Sequence, residues 1–124
     1  MTFYLDHTII PARDKEASAH FFARIFGLKY KGPWGPFAPV KVNDTLSMDF
    51  DDRWPEFEHH HYAFIASDDE LDAVLQRVKD AGIPFGSSSD TPDDGEINHL
   101  YGGRGFYFRD PNGHLLEVIT HSYV

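Results

Sequence analysis

The stretch Asp6-His7-Thr8-Ile9-Ile10-Pro11-Ala12-Arg13-Asp14-Lys15-Glu16-Ala17-Ser18-Ala19 lies over His60-His61-Tyr62-Ala63-Phe64-Ile65-Ala66-Ser67-Asp68-Asp69-Glu70-Leu71-Asp72-Ala73 at a constant offset of 54 positions. In that alignment His7 stands over His61, Asp14 over Asp68, Glu16 over Glu70 and Ala19 over Ala73. A repeat at fixed offset points to two copies of one supersecondary unit.

Each copy opens on a strand. Phe3, Leu5, His7 and Ile9 share a face at period two; His61 shares its face with Ala63 and Ile65, with Tyr62 and Phe64 opposite. A helix follows. Asp14 and Asp68 are the predicted N-caps, with Glu16 and Glu70 in the first turn, where the helix dipole favours negative charge. The first helix carries Ala17, Phe21 and Ile25 along one stripe with Phe22 and Phe26 beside it, and the second carries Leu71, Val74, Leu75 and Val78 at helical spacing. Gly27 and Gly82 are natural stops, and Pro84 blocks resumption.

Strands are then predicted at 28–31, 37–42 and 45–50, and again at 83–86, 104–109 and 114–120. The last turns are Asn43-Asp44 and Asp110-Pro111-Asn112-Gly113. Laying them over each other places Leu46 over Leu115 and Met48 over Glu117. The fold class is therefore α+β: two βαβββ modules forming a curved mixed sheet around a cleft. The expected organisation is a single domain over 1–124, with module one at about 1–55 and module two at about 56–124. The polar run 86–95 reads as a surface insertion in the second copy, either a lid or a plain connection.

Composition narrows the functional classes. The chain has 124 residues, 41% hydrophobic and 15% aromatic, which suits one globular domain with a sizeable core. It has no cysteine, so thiolate metal sites, Cys nucleophiles and disulfides are excluded. The N-terminus lacks a basic region and a long apolar run, and no stretch approaches a membrane span, so the chain reads as cytoplasmic. A formal charge of -9 repels phosphate backbones, so neither nucleic acid nor membrane is the expected partner. The same charge disfavours strongly anionic small molecules unless Lys or Arg lies close by.

The chemistry-bearing residues stand at the repeated positions. His7 and His61 occupy matching sites on the first strands. Glu117 interrupts the apolar run Leu115-Leu116-Glu117-Val118-Ile119, and a carboxylate there must be exposed, paired or metal-bound. If its face looks into the cleft, two imidazoles and one carboxylate converge. That set suits a divalent first-row metal and leaves positions open for substrate. Tyr107, one strand earlier, is placed to act as an acid or hydrogen-bond donor, or else is an ordinary packed aromatic with its hydroxyl at solvent. His59 and His60 read as loop residues and His114 as exposed. Arg104 and Arg109 are candidates for a substrate anion, with Arg109 pairing Asp110 as the plainer reading. Trp34, Phe37, Trp54 and Phe57 read chiefly as core or dimer packing, with an apolar pocket as the alternative.

Leu5-Asp6-His7, His61-Tyr62-Ala63-Phe64 and Tyr107-Phe108-Arg109-Asp110-Pro111-Asn112-Gly113-His114-Leu115-Leu116-Glu117 together resemble the vicinal-oxygen-chelate superfamily of glyoxalases, extradiol dioxygenases, fosfomycin-resistance thiol transferases and bleomycin-binding proteins. The resemblance implies paired βαβββ modules and a homodimer with sites at or near its interface. It implies one divalent metal ion per site (Fe, Mn, Zn, Ni or Co) at His7, His61 and Glu117. Tyr107 and Glu117 are the candidate catalytic residues. Glyoxalase I uses a fourth ligand from the end of the first module. The aligned position here is Met48, and Asp49 would need a one-residue slip that reverses its face. The loop 96–105 holds no Lys or Ser to grip a phosphonate. The expected function is a metal-dependent enzyme acting on a small oxygen-chelating molecule, by lyase, isomerase, dioxygenase or thiol-transferase chemistry. The alternative is a metal-free, drug-sequestering protein of the bleomycin-resistance type.

Overall fold

A computed structural model describes residues 2–124. The chain forms two compact units, Met1–Glu58 and His59–Val124, each with its own mixed sheet.

In the first unit, β1 (His7–Pro11) leads into α1 (Lys15–Phe26), followed by β2 (Ala38–Lys41) and β3 (Ser47–Asp51). The sheet order is β1-β3-β2, with β1 parallel and β2 antiparallel to β3. Asp14 caps α1 as expected: its carboxylate accepts from Ala17 N at 3.1 Å. Gly27 closes the helix in the left-handed region at φ 70°. The buried stripe differs from the expected one. Ser18, Ala19, Phe22, Ala23 and Ile25 are buried while Ala17 is exposed, because the helix turns its Phe22 edge onto the sheet, where Phe22 meets Phe50 at 5.9 Å between ring centres. The strand predicted at 28–31 shrinks to one bridge, Tyr30 to Val40. Gly27 and Gly32, both at positive φ, bend the chain on either side of it.

The second unit runs β4 (His61–Ile65), α2 (Asp68–Asp80), β5 (Phe85–Gly86), a short 3-10 turn at Leu100–Gly102, β6 (Gly105–Arg109) and β7 (Leu115–Ile119). Its sheet order is β4-β7-β6-β5, with β4 parallel to β7 and the remaining pairs antiparallel. The cap of α2 is Ser67, not Asp68. Ser67 Oγ accepts from Glu70 N, and the Glu70 carboxylate accepts from Ser67 N at 3.0 Å. This reciprocal capping box satisfies two orphan donors where an Asp68 cap would satisfy one. Phe106, Phe108, Leu116 and Val118, with Leu71, Val74 and Val78 of α2, are all 5% exposed or less and form this unit's core.

The insertion is pinned, not slack. The Asp94 carboxylate accepts from Ser87 N, Ser87 Oγ, Thr91 Oγ1 and Glu96 N, which cinches the loop at its base. Gly86 is obligatory beneath it, because a Cβ there would run into the backbone of Thr91, Pro92 and Asp93.

One buried charge in the first unit makes stability depend on pH. Asp51 is 1% exposed. Burial pushes its carboxyl up, but the hydrogen bonds and charge of Arg53, whose Nε lies 2.7 Å away, outweigh this and hold it below the ordinary value of 3.8. The folded state thus prefers the ionised form. The resulting stability is fully present above pH 3.8 and is lost as pH falls through the lowered value. Arg53→Met is expected to cost about 2 kcal/mol near neutral pH and to move the acid-unfolding midpoint to higher pH. Urea melts across an acid series check both.

Candidate metal centre

Each unit presents one sheet face that carries polar, chemistry-bearing side chains. In the second unit this face holds His61, Ala63 and Ile65 of β4, Leu115, Glu117 and Ile119 of β7, and Tyr107 of β6. The ladders align Ala63 with Glu117 and Glu117 with Tyr107. Parity sends Phe106, Phe108, Leu116 and Val118 to the opposite, core side.

Glu117 is 7% exposed, yet it is not orphaned. Its Oε1 lies 3.0 Å from His61 Nε2. The Tyr107 hydroxyl also hydrogen-bonds the carboxylate. Burial, together with the hydrogen bond and charge of Glu117, pushes Tyr107 up to about 12, so it keeps its proton at neutral pH and donates. The His61 ring sits 5.9 Å from the Tyr107 ring, centre to centre, and its side chain is 47% exposed. Imidazole, carboxylate and phenol therefore form one cluster, open to solvent at the imidazole.

In the first unit the equivalent face holds His7 and Ile9 of β1 with Ser47 and Asp49 of β3. His7 Nδ1 lies 2.8 Å from Asp6 Oδ2. The hydrogen bond to Asp6, reinforced by the charge of Asp49, holds His7 above the usual histidine range. With Nδ1–H committed to Asp6, the neutral ring keeps Nε2 as its free lone pair, the tautomer a metal ligand needs. Asp49 is 9% exposed and accepts from Ser47 Oγ at 2.6 Å. A cleft of about 410 Å³ opens on this face between His7, Ser47, Asp49, Trp34 and Phe37. Trp34 is 72% exposed and lines this cleft, so it is not a core residue.

The ladders correct the alignment of the two last strands. His7 pairs with Ser47 and Ile9 with Asp49, while His61 pairs with Leu115 and Ala63 with Glu117. Asp49, not Met48, therefore stands where Glu117 stands. The two turns close with the same bond, Val42 N to Leu46 O and Asp110 N to His114 O. Leu46 accordingly matches His114, one position away from the turn-based alignment. Met48 points to the core and is 2% exposed.

Other expectations change too. His114 is fully buried: its Nδ1 accepts from His60 N at 2.9 Å, and its ring packs edge-on against His60 and Tyr62. The tight turn over Asp110, whose carboxylate accepts from Asn112 N and His114 N, swings the ring inward. Arg104 is spent on Asp68 and Asp72 of α2, and Arg109 Nη1 donates to Gly113 O, so neither is held ready for a substrate anion.

The donor chemistry fits a divalent metal. A nitrogen and an oxygen each bound at about 2.1 Å and at a right angle lie about 3.0 Å apart, and His61 Nε2 and Glu117 Oε1 have that separation. Among the described residues no three His, Cys, Asp or Glu side chains gather into one group. The second unit supplies one imidazole and one carboxylate, and His7 and Asp49 repeat that pair in the first.

The family model described as the Glyoxalase/Bleomycin resistance protein/Dioxygenase superfamily matches residues 4–118. The chain belongs to that superfamily. Two solved structures, Oxidase ChaP-H2 and Oxidase ChaP-H1, superpose with TM-scores of 0.94 and 0.93 at 45% and 40% identity. The first match covers 99% of this chain and 97% of the other, and the second covers 98% of each. The glutathione transferase FosA of Serratia marcescens is 25% identical over 120 residues, which is 92% of this chain and 78% of that protein. A lactoylglutathione lyase from Agrobacterium tumefaciens shares the fold, with a TM-score of 0.70 at 21% identity over 94% of this chain and 92% of the other. No helix among the described residues is long and apolar enough to cross a membrane.

Proposed function

We propose that the protein is a metal-dependent oxidase that acts on a small molecule bearing neighbouring oxygens, with dioxygen as electron acceptor. One observation carries this reading: the buried Glu117 carboxylate, in an otherwise apolar strand, sits 3.0 Å from a half-exposed imidazole on an open sheet face. The likeness to two oxidases along nearly the whole chain supports the oxidative class.

The proposed ligands are His61 and Glu117 in the second unit and His7 in the first, where Asp49 is the register match of Glu117. These side chains would hold a divalent ion of the Fe, Mn, Zn, Ni or Co group, which would supply Lewis acidity. The chain's own residues do the rest. Asp6 fixes the His7 tautomer. Tyr107 keeps its proton and presents a hydroxyl beside the ligand carboxylate, where it donates to a substrate oxygen as negative charge develops. The apolar neighbours Leu115 and Ile119, each 8% exposed, limit water around Glu117.

A second reading is favoured by a different observation. Glu117 is already satisfied by His61 and Tyr107, as a metal-free acid–base pair would be. Elemental analysis of protein purified without chelator separates the two. The metal reading expects about one equivalent of divalent metal per chain, lost in His61→Ala, together with dioxygen uptake on a panel of catechol-like and 2-hydroxyketone compounds. Metal-free protein that still consumes dioxygen with such a compound overturns the metal assignment. Metal-loaded protein that consumes none overturns the oxidase assignment.

A further inference from the structure

The face that carries His7 continues across the first unit onto lysines. The ladders set His7 beside Ser47, Ser47 beside Lys41 and, through the Tyr30–Val40 bridge, Lys41 beside Lys29. One rung along, Asp49 pairs with Pro39 and Lys31 follows by the same bridge. Strands lie roughly 5 Å apart, so Lys41 stands roughly 10 Å from His7 and Lys29 roughly 15 Å. Tyr30 and Val40 take the opposite parity, where Tyr30 donates to Glu16 and Val40 is fully buried.

Lys29, Lys31 and Lys41 line a cleft of about 380 Å³ together with Asp44 and Thr45. It shares Asp6, Pro39 and Ser47 with the cleft at His7, so the two adjoin. These are three of only five lysines in a chain of formal charge -9. No ion pair engages them among the described residues. Extending the Tyr30–Val40 bridge by one residue on each side brings Lys29 opposite Lys41, and both line the cleft. Two carboxylates line the same cleft: Asp6 is engaged by His7, and Asp44 makes no ion pair with a lysine among the described residues. Three ammonium groups with no ion-pair partner in one cleft leave a lining that an incoming anion would complement.

We infer that this cleft binds an anionic group, a phosphate or a carboxylate, carried by the small molecule whose body occupies the adjoining Trp34–Phe37–His7 cleft. The placement of that body rests on the substrate face proposed above; the anion site does not. The net charge of -9 disfavours an anionic substrate, but the lining of this cleft carries three lysines against two aspartates.

Thermal melts in inorganic phosphate, in acetate, and in sodium chloride at matched ionic strength test the inference without metal or turnover. The melting temperature of the native chain is expected to rise saturably, by several degrees, in millimolar phosphate, acetate or both, and not in chloride. Whichever anion acts identifies the group. Lys29→Gln/Lys41→Gln is expected to lose that rise and, in plain buffer, to melt no lower than the native chain. Lys79→Gln, in α2, is expected to keep the rise. An equal rise in chloride, or a rise retained by the double variant, overturns the site. Loss of the oxidase activity proposal leaves these melts unaffected, so the two failures are distinguishable.

Discussion

Glu117→Gln is expected to lower turnover by about 10³-fold and to lose the proposed metal, while melting at or above the temperature of the native chain stripped of metal. The side chain keeps its shape, so the ladder pairs of β7 with β4 and β6 persist. What vanishes is a buried negative charge whose folding cost is offset only by His61 and Tyr107. Loss of function without loss of stability is the pattern expected of a group retained for chemistry. Turnover, elemental analysis and a thermal melt on one preparation read all three quantities. A variant that melts well below the native chain while retaining metal would make Glu117 a packing residue and remove the basis of the proposed centre.

Phe108→Ala is expected to do the reverse, destabilising the chain by about 3–5 kcal/mol. Phe108 is completely buried and stacks on Phe106 at 5.8 Å between ring centres. It sits on β6 next to Tyr107 in sequence but on the other side of the sheet, so its removal opens a cavity in the core and touches no ligand. Urea unfolding measures the loss. At low temperature, where the folded state still dominates, metal content per folded chain should be unchanged. The pair Glu117 and Phe108 thus separates the working face of the second unit from its supporting face.

Much of this division was legible in the sequence because it depends on short-range periodicity. Period-two alternation around His7, His61 and Glu117, helical spacing in Leu71–Val78 and the glycine stops all survive in the structure, usually to within a residue or two. What depended on geometry beyond one element did not. Ser67 displaced Asp68 as the cap because a reciprocal bond to Glu70 is worth more than one acceptor. His114 was hidden because its burial follows from the bend of one turn and the backbone of His60. Asp49 is set aside by the turn-based alignment because the two final turns differ in composition while closing with the same bond, and a one-residue error reverses a face. The lysine cleft had no linear signature at all. Lys29 and Lys41 meet only through a single bridge that no hydrophobic pattern announces.

The two halves keep step at 54 residues from His7 to His61, but at 68 from Ser47 to Leu115. The surplus of fourteen positions is taken up between the first and last strands of the second half, where the Asp94-tied segment bulges from the end of β5. Apart from the isolated Asn98–Gly105 bridge, no residue between β5 and β6 pairs with a strand. Growth or trimming at that knot therefore changes the rim of the second half without moving Glu117 off its rung. At that place the outline of the second half can be retailored while the rungs of its sheet stay put.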